Sequence, residues 1–264
     1  MNLLLLSSSC VGTTDYLSHA IPLIDDFLIK QSSPIRIIFI PFAGVTISFD
    51  EYEARVQKAL IPLNIELVSI HHKSANDNSK PQVNTGSVLL NKQREQIKNA
   101  DCILVGGGNT FSLLNELYSL ELLSIIHDEV KAGKPYIGWS AGSNIAGASI
   151  KTTNDMPIVE PPSFDALNLL PCQLNPHYIE VNPSSHNGET RQQRIEEFLT
   201  LNPSSKVMAI PEGTALICNG ESIYYTDGDQ KKALAYLFTS KGKLPISTNR
   251  DISDLIKNSS ILTG

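Results

Sequence analysis

Ser140 lies at the centre of the segment GWSAG, residues 138–142. The segment follows a short apolar run and precedes small residues suited to a tightly packed helix, as in the G-x-S-x-G nucleophile elbow. Glycines are required two positions either side of the serine because the sharp strand-to-helix turn brings backbone segments together. The start of a helix also favours negative charge on an attacking oxygen. We predict that Ser140 is a nucleophile, with an ordinary glycine-rich turn as the alternative.

A second glycine-rich segment, GGGNT at residues 106–110, follows the apolar run that ends at Val105. It lacks the spacing of a dinucleotide fingerprint and the lysine of a P-loop, which disfavours phosphate binding. In α/β proteins the carboxyl ends of neighbouring strands meet at one sheet edge. The backbone amides of Gly108 and Ala141 could therefore form an oxyanion hole. The alternative is a plain turn with Asn109 as a helix N-cap.

A serine nucleophile needs a base, and the chain has histidines at positions 19, 71, 72, 127, 177 and 186. His177 follows a proline downstream of the serine, in a rigid context that can fix the ring, and it ranks modestly above His186. His71 and His72 end a predicted strand and could bind metal, but no nearby acidic or cysteine residues support this. We therefore expect no metal site.

A third group should orient the imidazole and stabilise its protonated form. Asp155, in the segment TTNDMP, and Glu212, in the segment PEG, are the two candidates. Their spacing from the serine and the histidine does not decide between them, and either carboxylate could simply be solvated.

The elements around these residues follow an alternating pattern. Short runs rich in Ile, Leu and Val alternate with stretches of helical period, which predicts βα units around a mostly parallel, buried sheet. Strands are predicted at residues 2–6, 35–40, 65–70, 101–105 and 136–138. Helices are predicted to about residue 60 after the Ser48 cap, at 111–132, and to about 199 after the Thr190 cap. Apolar runs around Asn219-Gly220 predict a late antiparallel hairpin with a two-residue turn.

Composition limits the functional classes. A chain of 264 residues with 41% apolar residues is expected to form one domain over residues 1–264. Its net charge of -6 comes without a basic block, which argues against a nucleic-acid partner. Four scattered cysteines indicate reduced thiols. The N-terminal apolar run is too short for a signal peptide or a membrane span, so a soluble, cytoplasmic protein without membrane association is expected.

Seven segments in order resemble the peptidase E family, the α-aspartyl dipeptidases with a class I glutamine-amidotransferase-like fold. They are VGGGNT, GWSAGSN, TTNDMP, FDALNLLP, NPH, GETRQQR and PEG. The likeness extends from about residue 101 to 213 and includes the N-terminal strand. Tyr178, where phenylalanine is more usual, and Ser143, where alanine is common, depart from the family pattern.

The resemblance implies roles for matching positions. Ser140 matches the nucleophile and His177 the general base, and both Asp155 and Glu212 match positions linked with the triad. The Gly108 and Ala141 amides match the oxyanion donors.

The resemblance also implies how substrate is held. Arg191 matches an arginine suited to binding the aspartyl carboxylate of a substrate, which a guanidinium can grip with two hydrogen bonds. We also take Asn109 as a candidate substrate-binding residue.

The predicted function is hydrolysis of short peptides with an N-terminal aspartate through an acyl-enzyme on Ser140, with no metal or organic cofactor. One alternative is a cyanophycinase-like peptidase that cleaves β-aspartyl linkages. A glutamine amidotransferase is disfavoured because its nucleophile is cysteine. A non-catalytic protein that binds acidic peptides is the alternative from another class, and the oligomeric state stays open.

Overall fold

The computed structural model describes residues 1–29, 34–72, 85–180, 188–228 and 233–257, with the backbone alone for 85–89. His186 lies outside the described residues. The strands are β1 Asn2–Leu6, β2 Ile35–Ile40, β3 Ile65–Ser69, β4 Cys102–Val105, β5 Tyr136–Trp139, β6 Gln173–Asn175, β7 Val207–Ala209, β8 Ala215–Asn219, β9 Ser222–Thr226, β10 Ala235–Thr239 and β11 Gly242–Ile246. The α-helices are α1 Ile21–Leu28, α2 Phe49–Ala59, α3 Thr85–Asn99, α4 Thr110–Ser119, α5 Leu123–Lys131, α6 Ala141–Asn144, α7 Arg191–Leu201 and α8 Ser253–Lys257.

The larger sheet has seven strands in the order β3-β2-β4-β5-β1-β8-β9. The first five are parallel, and β8 and β9 continue the sheet in antiparallel fashion. The carboxyl ends of β4, β5 and β1 therefore meet at one edge, where the glycine-rich loop, Ser140 and the segment after Leu6 emerge. The prediction of a mostly parallel α/β sheet with late antiparallel strands is confirmed.

Alternating side chains of the parallel strands enter two separate cores. In β1, Leu3 and Leu5 join one core, whereas Leu4 and Leu6 join the other. Helices α1 and α2 cover the second core, and α4 and α5 cover the first. Because a strand turns successive side chains to opposite faces, apolar residues at every position require cover on both sides. This pattern produces the three-layer architecture.

A smaller sheet of four strands, ordered β11-β10-β7-β6, was not predicted from the sequence. Its β6 and β7 are parallel and only three residues long, too short to give a periodic signal. Helix α7 packs on this sheet through Ile195 and Leu199. The small sheet matters for the site because β6 leads into His177 and β7 leads into Glu212.

Two local predictions were wrong in detail. The stretch 111–132 is two helices, since Glu121 adopts a left-handed conformation with φ 49° between α4 and α5. The hairpin turn lies one residue later than predicted: Asn219 pairs with Ser222, and Gly220 has φ 64° as the first central residue. Positive φ at this position alone is typical of a type II′ turn, where glycine is favoured. The break at Glu121 carried no glycine or proline signal, whereas the hairpin turn has its glycine, Gly220, at the first central position instead of the second.

None of the helices in the described part of the chain combines the length and the apolar character that a membrane crossing requires.

Candidate active site

Ser140 occupies a sharp turn between β5 and α6, with φ 52° and ψ −112°. The turn tolerates no side chain on its flanks. A Cβ on Gly138 would lie 2.5 Å from the Gly142 carbonyl oxygen, and one on Gly142 would meet the carbonyl oxygen of Val105. The Ser140 amide donates to the carbonyl oxygen of Leu6 over 3.1 Å, which ties the turn to the end of β1. The hydroxyl is left partly exposed at the sheet edge.

Three side chains from separate parts of the sequence form a continuous line of contacts. His177 Nε2 lies 2.8 Å from Ser140 Oγ, and His177 Nδ1 lies 2.9 Å from Glu212 Oε1. A carboxylate on Nδ1 favours the tautomer in which Nδ1 holds the proton and Nε2 accepts. This arrangement can remove a proton from the serine hydroxyl and stabilise the resulting imidazolium.

Serines at the end of β1 hold the two loops that supply these groups. The His177 amide donates to Ser7 Oγ over 2.9 Å, and the Ser7 hydroxyl donates to the Ile210 carbonyl oxygen over 2.9 Å. The Gly213 amide donates to Ser8 Oγ over 3.0 Å. Neither serine was predicted from the sequence. The signal that could have found them is a run of polar residues immediately after a fully apolar strand.

His177 has φ 56°, an uncommon conformation for a residue with a side chain. The neighbouring Tyr178 is buried, and its hydroxyl donates to Glu180 over 2.7 Å. Burial, followed by the hydrogen bond to Glu180, raises the pKa of the Tyr178 phenol. The Tyr178 side chain is therefore neutral and packs in the core of the small sheet, with its hydroxyl on Glu180. Tyrosine in place of the more usual phenylalanine leaves the contacts among Ser140, His177 and Glu212 intact.

Asp155, the other candidate partner of the histidine, binds elsewhere. Its carboxylate accepts from the amide of Thr110 over 2.7 Å and from the Thr110 hydroxyl over 2.5 Å. It thus receives donors at the start of α4, where a negative charge is favoured. The structure brings Ser140, His177 and Glu212 together and joins Asp155 to the glycine-rich segment.

The glycine-rich loop packs directly against the serine turn. A Cβ on Gly107 would lie 3.0 Å from Ser140 Cβ, and one on Gly108 would collide with the Ala43 carbonyl group. Gly108 has φ 136°, a conformation that side chains rarely adopt. Within the described structure, the amides of Gly108 and Ala141 have no hydrogen-bond acceptor. Both donors are therefore available to an anion beside Ser140.

Tyr52, in α2, forms a hydrogen bond with the glycine-rich loop. Its hydroxyl donates to the Gly107 carbonyl oxygen over 2.8 Å, and it receives a hydrogen bond from Tyr16 over 3.2 Å. Burial raises the pKa of Tyr52 well above its usual value, so the phenol stays a neutral donor. Nothing in the sequence pointed to Tyr52, because it lies 55 positions from Gly107.

Asn109 uses both ends of its side chain within the protein. Its Oδ1 accepts from the Ser112 amide over 3.0 Å and caps α4, as its position after the glycines suggested. Its Nδ2 donates to the Met156 carbonyl oxygen over 2.9 Å. Asn109 therefore joins the glycine-rich loop to the loop that contains Asp155.

Arg191 is the first residue of α7 and is partly buried. Burial lowers the pKa of its guanidinium, and the nearby positive charge of Arg194 adds to this, whereas the charge of Asp155 acts in the opposite direction. An arginine stays protonated despite such shifts. Arg191 forms no salt bridge with a carboxylate of the described residues. The guanidinium is thus a partly desolvated positive charge on the Asp155 side of the site.

The cysteine thiols are not among the groups that contact Ser140, His177 or Glu212. Cys102, Cys172 and Cys218 are buried, Cys10 is partly exposed, and all four are free thiols. Burial raises the pKa of Cys172 and of Cys218 to about 12, so neither forms a thiolate near neutral pH. The only nucleophile in the contact line is the serine hydroxyl.

Comparisons with known proteins identify relatives of the chain. The model of peptidase family S51 matches residues 3–226. A peptidase E of Shewanella denitrificans is 47% identical over 257 residues, covering 97% of this chain and 99% of the relative. A peptidase E of Pasteurella multocida is 50% identical over 220 residues, covering 83% and 86%.

Solved structures add to the comparison. A Listeria monocytogenes crystal structure assigned to peptidase E superposes with a TM-score of 0.60 at 28% identity, covering 85% of this chain and 97% of that one. A peptidase from an acI-B1 actinobacterium has a TM-score of 0.64 at 19% identity, covering 95% and 96%, and supports the fold alone.

Proposed function

The chain belongs to peptidase family S51 and is a serine peptidase, and from this premise we propose that it is a cytoplasmic dipeptidase that cleaves after an N-terminal aspartate. The observation that carries the proposal is the contact line from Ser140 through His177 to Glu212 beside two free amides. The resemblance of seven sequence segments to the α-aspartyl dipeptidases supports the choice of substrate.

Acyl transfer proceeds in two steps on this site. Ser140 Oγ attacks the carbonyl carbon of the first peptide bond while His177 Nε2 takes the hydroxyl proton. The carbon–nitrogen bond then breaks, and His177 gives the proton to the leaving amine. His177 Nε2 then takes a proton from water, which attacks the ester carbon; the bond to Ser140 Oγ breaks, His177 returns the proton to Oγ, and aspartate is released. Glu212 keeps the proton on Nδ1 and stabilises the imidazolium.

The tight turn acts as a nucleophile elbow beside an oxyanion hole. During both steps the negative charge moves to the carbonyl oxygen of the substrate. The amides of Gly108 and Ala141 donate to this oxygen, and removing a donor of this kind typically costs on the order of 10²–10³ in kcat. Because the Ser140 amide is bound to Leu6, it does not contribute.

Selectivity for aspartate comes from the positive charge of Arg191, which forms no salt bridge with a carboxylate of the described residues. Arg191 binds the β-carboxylate of the substrate, and its partial burial strengthens the attraction. Asp155 and Asn109 act indirectly by holding the glycine-rich loop and the 152–157 loop together.

Two alternative functions predict different results in one assay. A cyanophycinase-like enzyme would cleave β-linked aspartyl peptides, and a peptide-binding protein would cleave none. The test is hydrolysis of four dipeptides: Asp-Leu, its β-linked isomer, Glu-Leu and Ala-Leu. The wild-type protein is compared with Ser140→Ala and with the control variant Ser18→Ala, whose side chain is exposed at the surface.

The proposal expects cleavage of α-linked Asp-Leu that is lost in Ser140→Ala and kept in Ser18→Ala. Preference for the β-linked isomer would contradict the proposal and favour the cyanophycinase-like alternative. Turnover that survives in Ser140→Ala would remove the serine from the mechanism.

A further inference from the structure

Four side chains outside the peptidase site converge at the far side of the larger sheet. Asp50 and Glu53 lie in the first turns of α2, and His71 and His72 lie two and three residues after the end of β3. Each offers one ligand atom, and these atoms all lie within 4.8 Å of one another. No acidic partner for the two histidines was predicted from the sequence, because Asp50 precedes His71 by 21 positions.

The contacts within this cluster are close. His71 Nε2 lies 2.8 Å from Asp50 Oδ1, and His72 Nδ1 lies 3.9 Å from the same oxygen. His72 Nε2 contacts Glu53 Oε2. The side chains of Glu53 and His71 are only 11% and 15% exposed, whereas that of Asp50 is 80% exposed. Glu53 and His71 are therefore fixed against the protein, whereas Asp50 is accessible to ions from solvent.

Ser69, the last residue of β3, orients both anchored ligands. Its hydroxyl lies 2.5 Å from His71 Nδ1 and 3.5 Å from the Phe39 carbonyl oxygen. This contact leaves Nε2, which lies 2.8 Å from an Asp50 oxygen, as the ring nitrogen that can bind a metal ion. The Ser69 amide also donates to Glu53 Oε1 over 3.0 Å and leaves Oε2 turned toward His72.

We propose that Asp50, Glu53, His71 and His72 bind one Zn²⁺ ion. Two imidazoles with two carboxylates match the preference of zinc, whereas Mg²⁺ and Ca²⁺ favour sites built from oxygen alone. Ligand atoms in a tetrahedral zinc site lie roughly 3.3 Å apart, so rotation of exposed side chains is enough to close this cluster around the ion. The hydrogen bonds of Ser69 provide the outer support that zinc-binding histidines and carboxylates usually receive.

The role of the ion is structural. Three strand spacings separate β3 from β5, which puts the cluster roughly 14 Å from Ser140, too far for contact with substrate. The ion joins the start of α2 to the end of β3. The same helix carries Tyr52, which holds the glycine-rich loop. Zinc is therefore expected to raise the melting temperature without being required for turnover.

The test measures Zn²⁺ affinity by competition with a chromogenic chelator. It uses a His177→Gln background because the His177–Glu212 pair could itself bind zinc. The variants are His71→Gln with His72→Gln, and Asp50→Asn, an exposed substitution that keeps the fold. His127→Gln is the matched control, since this histidine lies in α5 and bonds the Leu167 carbonyl oxygen. Co²⁺ absorption reports the coordination number independently.

The proposal expects one equivalent of Zn²⁺ that raises the melting temperature, with the site lost in the double histidine variant, weakened in Asp50→Asn and kept in His127→Gln. Ser69→Ala should weaken binding about 10–100-fold. The Co²⁺ complex should show the intense visible bands of a four- or five-coordinate site. Equal affinity in the double variant and its parent, or no zinc binding by the parent, would overturn the proposal.

Discussion

The Nδ1 atom of His177 lies 2.9 Å from Oε1 of Glu212, although 35 positions separate the two residues. The contact forms because β6 and β7 are parallel neighbours in the small sheet, so their carboxyl ends deliver both loops to the same place. Ser7 and Ser8 then fix these loops to the end of β1 in the larger sheet. The contact therefore depends on how the two sheets pack.

Glu212→Gln should reduce kcat for Asp-Leu by about 10²-fold or more with little change in KM. The amide cannot stabilise the imidazolium, and it can orient the ring with the wrong tautomer, an effect that reaches about 10⁴-fold in a buried triad. Because the Glu212 side chain is 54% exposed, a smaller loss is expected here. Steady-state kinetics on Asp-Leu would measure it.

Asp155→Asn is the matched comparison for Glu212→Gln. The asparagine oxygen can still accept from Thr110, but the negative charge beside Arg191 is gone. We expect Asp155→Asn to change KM more than kcat. The opposite pattern, with kcat lost in Asp155→Asn and kept in Glu212→Gln, would indicate that Asp155, and not Glu212, orients His177 during turnover.

Arg191→Gln should lower kcat/KM for Asp-Leu about 10- to 100-fold and leave slow cleavage of Ala-Leu unchanged, because a hydrogen bond to a charged group contributes about 1.5–3 kcal/mol. Arg194→Gln is the control, since it removes the same charge within one turn of α7 and its side chain is 56% exposed. Kinetics on both peptides provide the ratio. An equal loss in the two variants would indicate a general effect of charge.

Gly108→Ala should lower both stability and turnover. Its methyl group would collide with the Ala43 carbonyl group, and φ 136° is strained for alanine, at a cost of about 1–3 kcal/mol for the conformation alone. Gly133→Ala is the control because Gly133 has φ 113° and no atom lies within 4 Å of the position that its methyl group would take. Urea unfolding and kinetics separate the effects: turnover should fall in Gly108→Ala only. Normal turnover in a folded Gly108→Ala protein would contradict the role of this loop.

Tyr136→Phe should make stability less sensitive to alkaline pH. The Tyr136 hydroxyl is buried and donates to the Gly142 carbonyl oxygen over 2.6 Å, and burial raises its pKa well above 10.0. Above pH 10 the unfolded chain loses this proton and the folded chain keeps it, so the free energy of unfolding falls as pH rises. The slope is at most about 1.4 kcal/mol per pH unit for each such group.

Urea unfolding between pH 8 and pH 11 measures this slope. Below pH 9, Tyr136→Phe should be less stable by about 1–3 kcal/mol, since the Gly142 oxygen loses a donor. Tyr224→Phe, at an exposed position, should change neither quantity. An unchanged alkaline slope in Tyr136→Phe would show that the other buried tyrosines and thiols account for the pH dependence.

The sequence alone determined the elements with strong local signals. Short apolar runs predicted β1, β2 and β4, capping boxes predicted the starts of α2 and α7, and the glycines around Ser140 predicted the turn that exposes it. These features depend on neighbours in the chain, so they are readable without the fold. The break at Glu121 and the short strands β6 and β7 carried no such signal.

Tertiary structure decided which distant groups meet. It selected Glu212 over Asp155 as the carboxylate that contacts His177, brought Ser7, Ser8 and Tyr52 to the site, and gave the histidines after β3 two carboxylates from α2. Each of these contacts joins residues from different strands or helices. Sequence spacing cannot encode them, because strand order and the packing of the two sheets determine which loop ends become neighbours.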